Sequence, residues 1–486
     1  MLCPIEMSEP KQGCHRRLTL VAAMLGASFL LAFFVRLIGF QQEAFFIDEA
    51  STLLFVQEPT ITRLLEGEVN PPIYFWFLAL WSGLFGTSHE ALRLPSVLFG
   101  AATVPVLLAA ARAWGAGRAA MLLLAVATIF SPMHVWWSQI ARPYALSALL
   151  MAAVLLAVAK LQRCPRSTAW GVTLAALVLL GQATHYWFCF PVAGLWMVMA
   201  IASSGNREHR RAFLWLNAGC LGWLALVPLV LAQQRTGNAA WVPRAELSDL
   251  LRTPLEIWLT GPFSSLSIWT KVVVYTTAVA TAGLWGWNRR RGRLYGIQSH
   301  LLAACLAATV LGLLIPWLIS RLTPLSIYLG ERYTLVAWPA FVLAGAMLVH
   351  QIAATAWRRV FTAAWIVVLS ATSLPILWKN ATTFQDFDWR RAIRIVAEED
   401  AQIPMIFLPG WMQQTWLTNG GVAPKNALTL AEATTWVEPM WVIYWKQSPD
   451  AAEQHWLREL QADGRMQSRV DFPHMELARV SPSGHQ

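Results

Sequence analysis

Apolar runs close to the length of a bilayer crossing recur along most of the chain, and they constrain its fold more than any motif it contains. A helix needs about 20 predominantly apolar residues to cross the hydrocarbon layer, where every backbone N–H and C=O must be satisfied within the structure. With 56% hydrophobic and only 13% charged residues, the 486-residue chain is not a soluble globule. It reads as a polytopic helical membrane protein. The formal charge of +10 does not point to nucleic acid, because the arginines fall in short clusters between apolar runs, the pattern that fixes a membrane protein's orientation.

Lys11, Arg16 and Arg17 close a cytosolic tail, 1–17, and the apolar run 18–40 begins the first span. The run exceeds the ~7–15 residue core of a signal peptide and no clean small-x-small cleavage site follows, so it reads as a retained anchor. Further spans are expected near 94–112, 119–137, 143–161, 168–184, 187–203, 212–232, 267–287, 298–320, 333–350 and 359–378, about eleven in all. The turns assigned to the cytosol are short and basic, carrying Arg112 and Arg118, then Lys160, Arg163 and Arg166, and so on to Arg358 and Arg359. The far side receives a first outer loop, 41–92, then 131–143, 185–187, 233–265 and 321–333.

The apolar, aromatic stretch 71–85 is short and bounded by Asn70-Pro71-Pro72 and Gly86. Counting it as a span reverses the charge bias of the loops that follow, so an interfacial or re-entrant helix is expected there. From Asn380 the composition becomes that of a soluble domain. Helices are expected over 388–396 and 451–462 and strands over 404–408 and 440–445, giving a small α/β accessory or acceptor-docking domain, 380–486. The six cysteines, Cys3, Cys14, Cys164, Cys189, Cys220 and Cys305, show neither a disulfide framework nor a metal-binding CxxC spacing.

Asp48-Glu49, in Phe45-Phe46-Ile47-Asp48-Glu49-Ala50-Ser51, follow the first span directly. Ionisable groups beside hydrocarbon are costly and tend to be functional, which makes the pair the first catalytic candidate. The same acids would also simply cap a helix running through Leu53 and Phe55. Arg142, in Ser138-Gln139-Ile140-Ala141-Arg142-Pro143-Tyr144, stands at a second membrane edge, and Glu331-Arg332-Tyr333 offers the same chemistry at a third. Arginine holds phosphate bidentately, although an arginine that merely snorkels to the interface fits that pattern too. His185 and Asn70 are candidate substrate contacts, and a lone interfacial histidine is equally a structural one.

In order along the chain, the acid pair, the aromatic Asn-Pro-Pro segment, the Ser-Gln-x-Ala-Arg-x-Tyr-Ala-Leu turn, the Arg-Tyr turn and the Asp-Trp-Arg opening of the tail resemble the GT-C glycosyltransferases. The resemblance is to the dolichyl-phosphate-mannose protein mannosyltransferase-like superfamily, family 39 and bacterial relatives including the lipid A aminoarabinose transferases. It implies an all-α polytopic membrane protein of GT-C type, about eleven spans plus interfacial helices, with a small C-terminal α/β domain. It also implies an inverting transferase that moves a sugar from a polyprenyl-phosphate donor to a lipid, glycan or protein acceptor on the periplasmic face of a bacterial inner membrane. Asp48 would act as general base or orient the acceptor, with Glu49 beside it. Arg142 and Arg332, with Tyr144 and Tyr333, would attend the donor phosphate. Catalysis in such enzymes is metal-assisted or metal-independent, so a divalent metal is possible, and none is assigned here. Relatives often carry His at the position of Asn70 and an acid at that of Ile140. A flippase for lipid-linked sugars or a non-catalytic assembly subunit would share the spans, but a transporter is expected to show internal repeats and midplane charges, which the sequence lacks.

Overall fold

The structure, a computed structural model, describes residues 11–41, 43–204, 207–236, 242–262, 264–290, 297–352, 355–383, 388–399, 403–424, 427–446 and 450–481. The chain begins with α1 (Lys11–Leu37), α2 (Ile47–Gln57), α3 (Ile61–Gly67), α4 (Ile73–Phe85), α5 (His89–Ala113), α6 (Arg118–Ile129), α7 (Pro132–Ser138) and α8 (Tyr144–Arg163). It divides into two compact units. The first comprises Met1–Ile38, Glu58–Gly86 and Ala91–Lys379; the second comprises Gly39–Gln57, Thr87–Glu90 and Asn380–Gln486.

The first unit is a multi-pass helical membrane body. Among the described residues seven helices are long and apolar enough to cross a membrane, and an eighth crossing results if α6 and α7, bent by 50°, are taken as one broken span. Each predicted span coincides with a helix or a broken pair, including the shorter Thr168–Thr184 and Trp338–His350 and the longer Ile268–Arg290. The 212–232 expectation meets two helices, Arg207–Cys220 and Gly222–Arg235. Phe34, Leu224, Val279 and Trp378 remain outward and exposed, as lipid-facing positions require. The α4 helix has 13 residues, roughly 20 Å at 1.5 Å per residue and too short to traverse a bilayer. Tyr74, Phe75 and Leu78 are its buried face.

Two glycines permit close helix contacts. A Cβ at Gly194 would fall 2.4 Å from the backbone of Ala307, so Cys189–Ser203 and Ile297–Leu322 pack backbone to backbone only with glycine there. A Cβ at Gly100 would meet Ser138 Oγ at 2.0 Å, which brings α5 against α7. The break between α6 and α7 has a local cause: Pro132 lacks the N–H that would bond Thr128 O in a continuous helix, and Ser131 caps the new start by accepting from His134 N at 3.2 Å. The span expected over 119–137 is thus a bent pair of helices.

Cys164 is disulfide-bonded, against the expectation of no disulfide framework. Cys189, Cys220 and Cys305 are free.

The second unit holds a five-stranded sheet in the order β2-β1-β3-β5-β4, where β1 is Met405–Leu408, β2 Ala427–Leu428, β3 Met440–Trp445, β4 Met466–Asp471 and β5 Met475–Val480. β1 runs parallel to β2 and β3, whereas β5 is antiparallel to β3 and β4. Both faces are covered. Phe407, Trp441, Ile443 and Leu477 pack with Trp389, Met412 and Trp416 on one face, and Ile406, Val442 and Tyr444 pack with Trp456, Leu457 and Leu460 on the other. A strand buried on both sides loses period-two alternation, which is why Met405–Leu408 and Met440–Trp445 read as unbroken apolar runs. Residues 39–57 cluster with this domain instead of with the membrane body: Ala44 lies in the first of these cores.

Candidate functional site

Arg142 lies between α7 and α8, and it is 3% exposed. Its Nη1 donates to Glu68 Oε1 at 2.7 Å, and its guanidinium carbon lies 5.3 Å from the centre of the Phe75 ring. A charge taken out of water this far must be paired and bonded. Glu68, just after α3, is its counter-ion and had no distinguishing signal in the sequence. The backbone of the Glu68 segment is held in turn by Gln233, whose Nε2 donates to Glu68 O at 3.0 Å and Asn70 O at 3.2 Å. Tyr186 completes the arrangement by donating its hydroxyl to Gln233 Oε1 at 2.7 Å.

His185 ends the helix Thr168–Thr184 and caps the next turn, its Nδ1 accepting from Trp187 N at 3.2 Å. An Nδ1 that accepts leaves the proton of the neutral ring on Nε2. That Nε2 and Asn70 Nδ2 are both buried, and neither has a hydrogen-bond partner among the described residues. Each is a donor available to a polar ligand.

The aromatic wall joins the remaining candidates. The Tyr144 ring lies 5.7 Å from His185 and 6.4 Å from Tyr333, and His185 lies 5.6 Å from Tyr333. Trp137 packs edge-on against Tyr144 at 4.7 Å and donates Nε1 to Glu331 O at 2.7 Å. The Arg332 guanidinium lies 5.7 Å from the Trp137 ring centre, with Glu331 3.6 Å from its Nη2. In the membrane body, Arg142 and Asn70 are therefore joined through Glu68 and Gln233, and Tyr144, His185, Tyr333 and Arg332 form a second set of contacts around Trp137. Trp137, Glu68 and Gln233 are the members that motif reading passed over.

Asp48 and Glu49 belong to the second unit and occupy the first turn of α2. Phe46 O accepts from Glu49 N at 3.0 Å and from Ala50 N at 2.9 Å. The acids therefore stand at the positive end of the helix dipole, where anions are favoured, as the helix-capping alternative anticipated. Glu49 is fully buried and Asp48 half-buried. Among the described residues no three His, Cys, Asp or Glu side chains come together as a metal site.

Residues 69–231 match the family model described as dolichyl-phosphate-mannose-protein mannosyltransferase. No protein of curated function matches the chain. Among solved structures, the archaeal oligosaccharyltransferase AglB from Archaeoglobus fulgidus, in complex with an inhibitory peptide and a dolichol-phosphate, is 8% identical with a TM-score of 0.54, covering 88% of this chain and 70% of that one. ArnT from Cupriavidus metallidurans is 14% identical over 95% of this chain and 98% of its own, with a TM-score of 0.44. The arabinofuranosyltransferase AftD from Mycobacteria is 16% identical over 96% and 40%, with a TM-score of 0.49. The likeness to AglB shows that the two chains share a fold.

Proposed function

We propose, from that fold and the buried basic site, that the chain is an integral-membrane inverting glycosyltransferase that takes a sugar from a polyprenyl-phosphate donor. The reading places transfer on the periplasmic side of a bacterial inner membrane, with a lipid, a glycan or a protein as acceptor. The observation that carries it is the buried Arg142 guanidinium against the Phe75 ring, in a membrane body that also holds the unspent buried donors of His185 and Asn70. A buried cation beside aromatic rings and free N–H donors suits a phosphate joined to a sugar. The structurally similar AglB was solved with a dolichol-phosphate, a lipid phosphate of the kind this reading requires of the donor.

In this reading the acceptor oxygen attacks the anomeric carbon from the face opposite the phosphate. The C–O bond to phosphate breaks as the new glycosidic bond forms, the acceptor proton passes to the Asp48 carboxylate, and polyprenyl phosphate leaves. Arg142 and Arg332 offset the charge that grows on the leaving oxygen, and Glu49 neighbours the base. Because a polyprenyl phosphate is already a good leaving group, a single displacement suffices.

The test is transfer by the purified protein from a panel of radiolabelled polyprenyl-phosphate sugars, with membrane extract as acceptor and Asp48→Asn alongside. Transfer of one sugar, with the folded variant slower by about 10² to 10⁴, is expected from loss of a positioned base. Binding of lipid-linked sugar without consumption would assign the chain instead to transport or assembly, and near-normal transfer by the variant would remove Asp48 from the role.

A further inference from the structure

We infer that Asn419 and His89 are positioning residues for the acid pair, so that the C-terminal domain holds the segment on which catalysis depends; this rests on the transferase reading above. Asn419 follows the helix Trp411–Thr418 and sits 374 residues from the backbone it holds. Its Oδ1 accepts the Phe45 N–H at 2.8 Å, and its Nδ2 donates to Phe45 O at 2.8 Å. One side-chain amide thus pairs with both backbone groups of a single residue, as a neighbouring strand would.

The rest of that amide is spent too. Nδ2 also donates to Thr415 O at 2.9 Å, and Oδ1 lies 3.1 Å from His89 Nε2. An amide has two donor hydrogens and two acceptor positions, and here all four are used. Because Oδ1 can only accept, His89 must carry its proton on Nε2. The His89 ring in turn stacks on the Phe45 ring, with centroids 3.8 Å apart and planes 25° from parallel. Phe45 is therefore held at its backbone by one residue and at its ring by the other, and is 1% exposed.

The hold reaches the acids through very little chain. Phe46 O, the next carbonyl, already accepts the N–H groups of Glu49 and Ala50 in the first turn of α2. A residue reaches at most about 3.6 Å, so the orientation of that turn follows Phe45 closely. Ala44 lies in the core with Trp389 and Trp416, and Arg390 Nη1 donates to Gln41 O at 2.8 Å, a second tie on the same segment. An asparagine that only ended its helix would need the Thr415 bond alone. Three of its four bonds serve the Phe45 and His89 segments.

The experiment uses the full chain in detergent and compares Asn419→Ala, His89→Leu and His89→Gln with the wild type in transfer kinetics and in amide hydrogen exchange over 43–50. The inference expects Asn419→Ala and His89→Leu to lower kcat by about 10², the scale of a small misplacement, with KM for the donor unchanged. Exchange over 43–50 should accelerate while β1 and β3 stay protected. His89→Gln keeps a donor toward Oδ1 and should return kcat and exchange toward wild type. Unchanged exchange over 43–50, or unchanged kcat despite faster exchange, would overturn the inference, as would a general loss of protection that includes β1 and β3. If the wild type transfers no sugar, the transferase reading fails by itself and the catalytic part of the inference falls with it; exchange over 43–50 then still decides whether Asn419 and His89 hold the segment.

Discussion

Arg142 Nη1 donates to Glu68 Oε1 at 2.7 Å across 74 residues of sequence, with the two side chains 4% and 2% exposed. A pair this deep costs much of its Coulomb gain in desolvation, yet losing one partner strands the other charge, at about 3–5 kcal/mol. Glu68→Ala and Arg142→Ala should each destabilise the protein by that order, and the double variant by clearly less than their sum. Equilibrium unfolding in mixed micelles measures all three. Additive losses would mean that the two side chains do not act as a pair.

Gln233 is the tie between the Glu68 segment and the far end of the helix Gly222–Arg235. Gln233→Leu removes an amide of similar size and leaves buried carbonyls at Glu68 and Asn70 without that donor, at about 1–3 kcal/mol. Tyr186→Phe removes only the bond to Gln233 Oε1 and should cost about 0.5–1.5 kcal/mol. Thermal midpoints should fall in that order. In protease digestion, Gln233→Leu should open cleavage within 58–70 at a concentration that leaves the wild type intact; equal cleavage patterns would show that Gln233 does not anchor the segment.

How much of this was legible depended on whether the cause was local. The spans were, since a run long enough to cross hydrocarbon is a property of consecutive residues, and so was the short α4, bounded by Asn70-Pro71-Pro72 and Gly86. β1 and β3 were legible for the same reason. β5 was not: Met475–Val480 places Glu476 and Arg479 in a central strand, and Glu476 is buried only because Arg469 on β4 bonds it. No window of sequence shows that partner. The break at Pro132 was overlooked because mean hydropathy continues through it. Arg142 and Tyr144 could be picked from a motif, but Glu68, Gln233 and Asn419 owe their roles to residues 74, 165 and 374 positions away, and a polar residue's partner at that distance leaves no periodic trace.

Glu256 supplies a pH test. It is 1% exposed, with Arg252 Nε at 3.1 Å and Lys271 Nζ at 2.9 Å. Burial raises its carboxyl pKa, but the bonds and charges of Lys271 and Arg252 outweigh burial and the net shift is downward from the ordinary value. A group with a lowered folded-state pKa holds fewer protons folded than unfolded. Its contribution is therefore present above its unfolded pKa near 4.5 and is lost as pH falls through the lower folded value. The wild type should be more stable than Glu256→Gln at pH 7, and the gap in thermal midpoint should close below pH ~4. A gap that persists unchanged at acid pH would show that packing, not charge, sets the effect.

Arg36 makes the last prediction, because it repairs the defect that Pro132 creates. The Thr128 carbonyl, deprived of an N–H at position 132, accepts from Arg36 Nη2 at 3.3 Å, and the same guanidinium bonds His134 Nδ1 at 2.8 Å and Ser138 Oγ at 3.2 Å on the far side of the bend. Arg36 is fully buried, and its apolar replacement, Arg36→Met, should cost about 1–3 kcal/mol for each acceptor left without a partner. Pro132→Ala by itself restores an N–H at the break, so Arg36 becomes less necessary in that background. The loss caused by Arg36→Met should accordingly be smaller in Pro132→Ala than in the wild type, a coupling of at least about 0.5 kcal/mol. Unfolding of the two single variants and the double variant in mixed micelles measures it. Losses that simply add would mean that the arginine holds α7 through Ser138 and His134 alone, and that the Thr128 carbonyl contributes nothing to the bend.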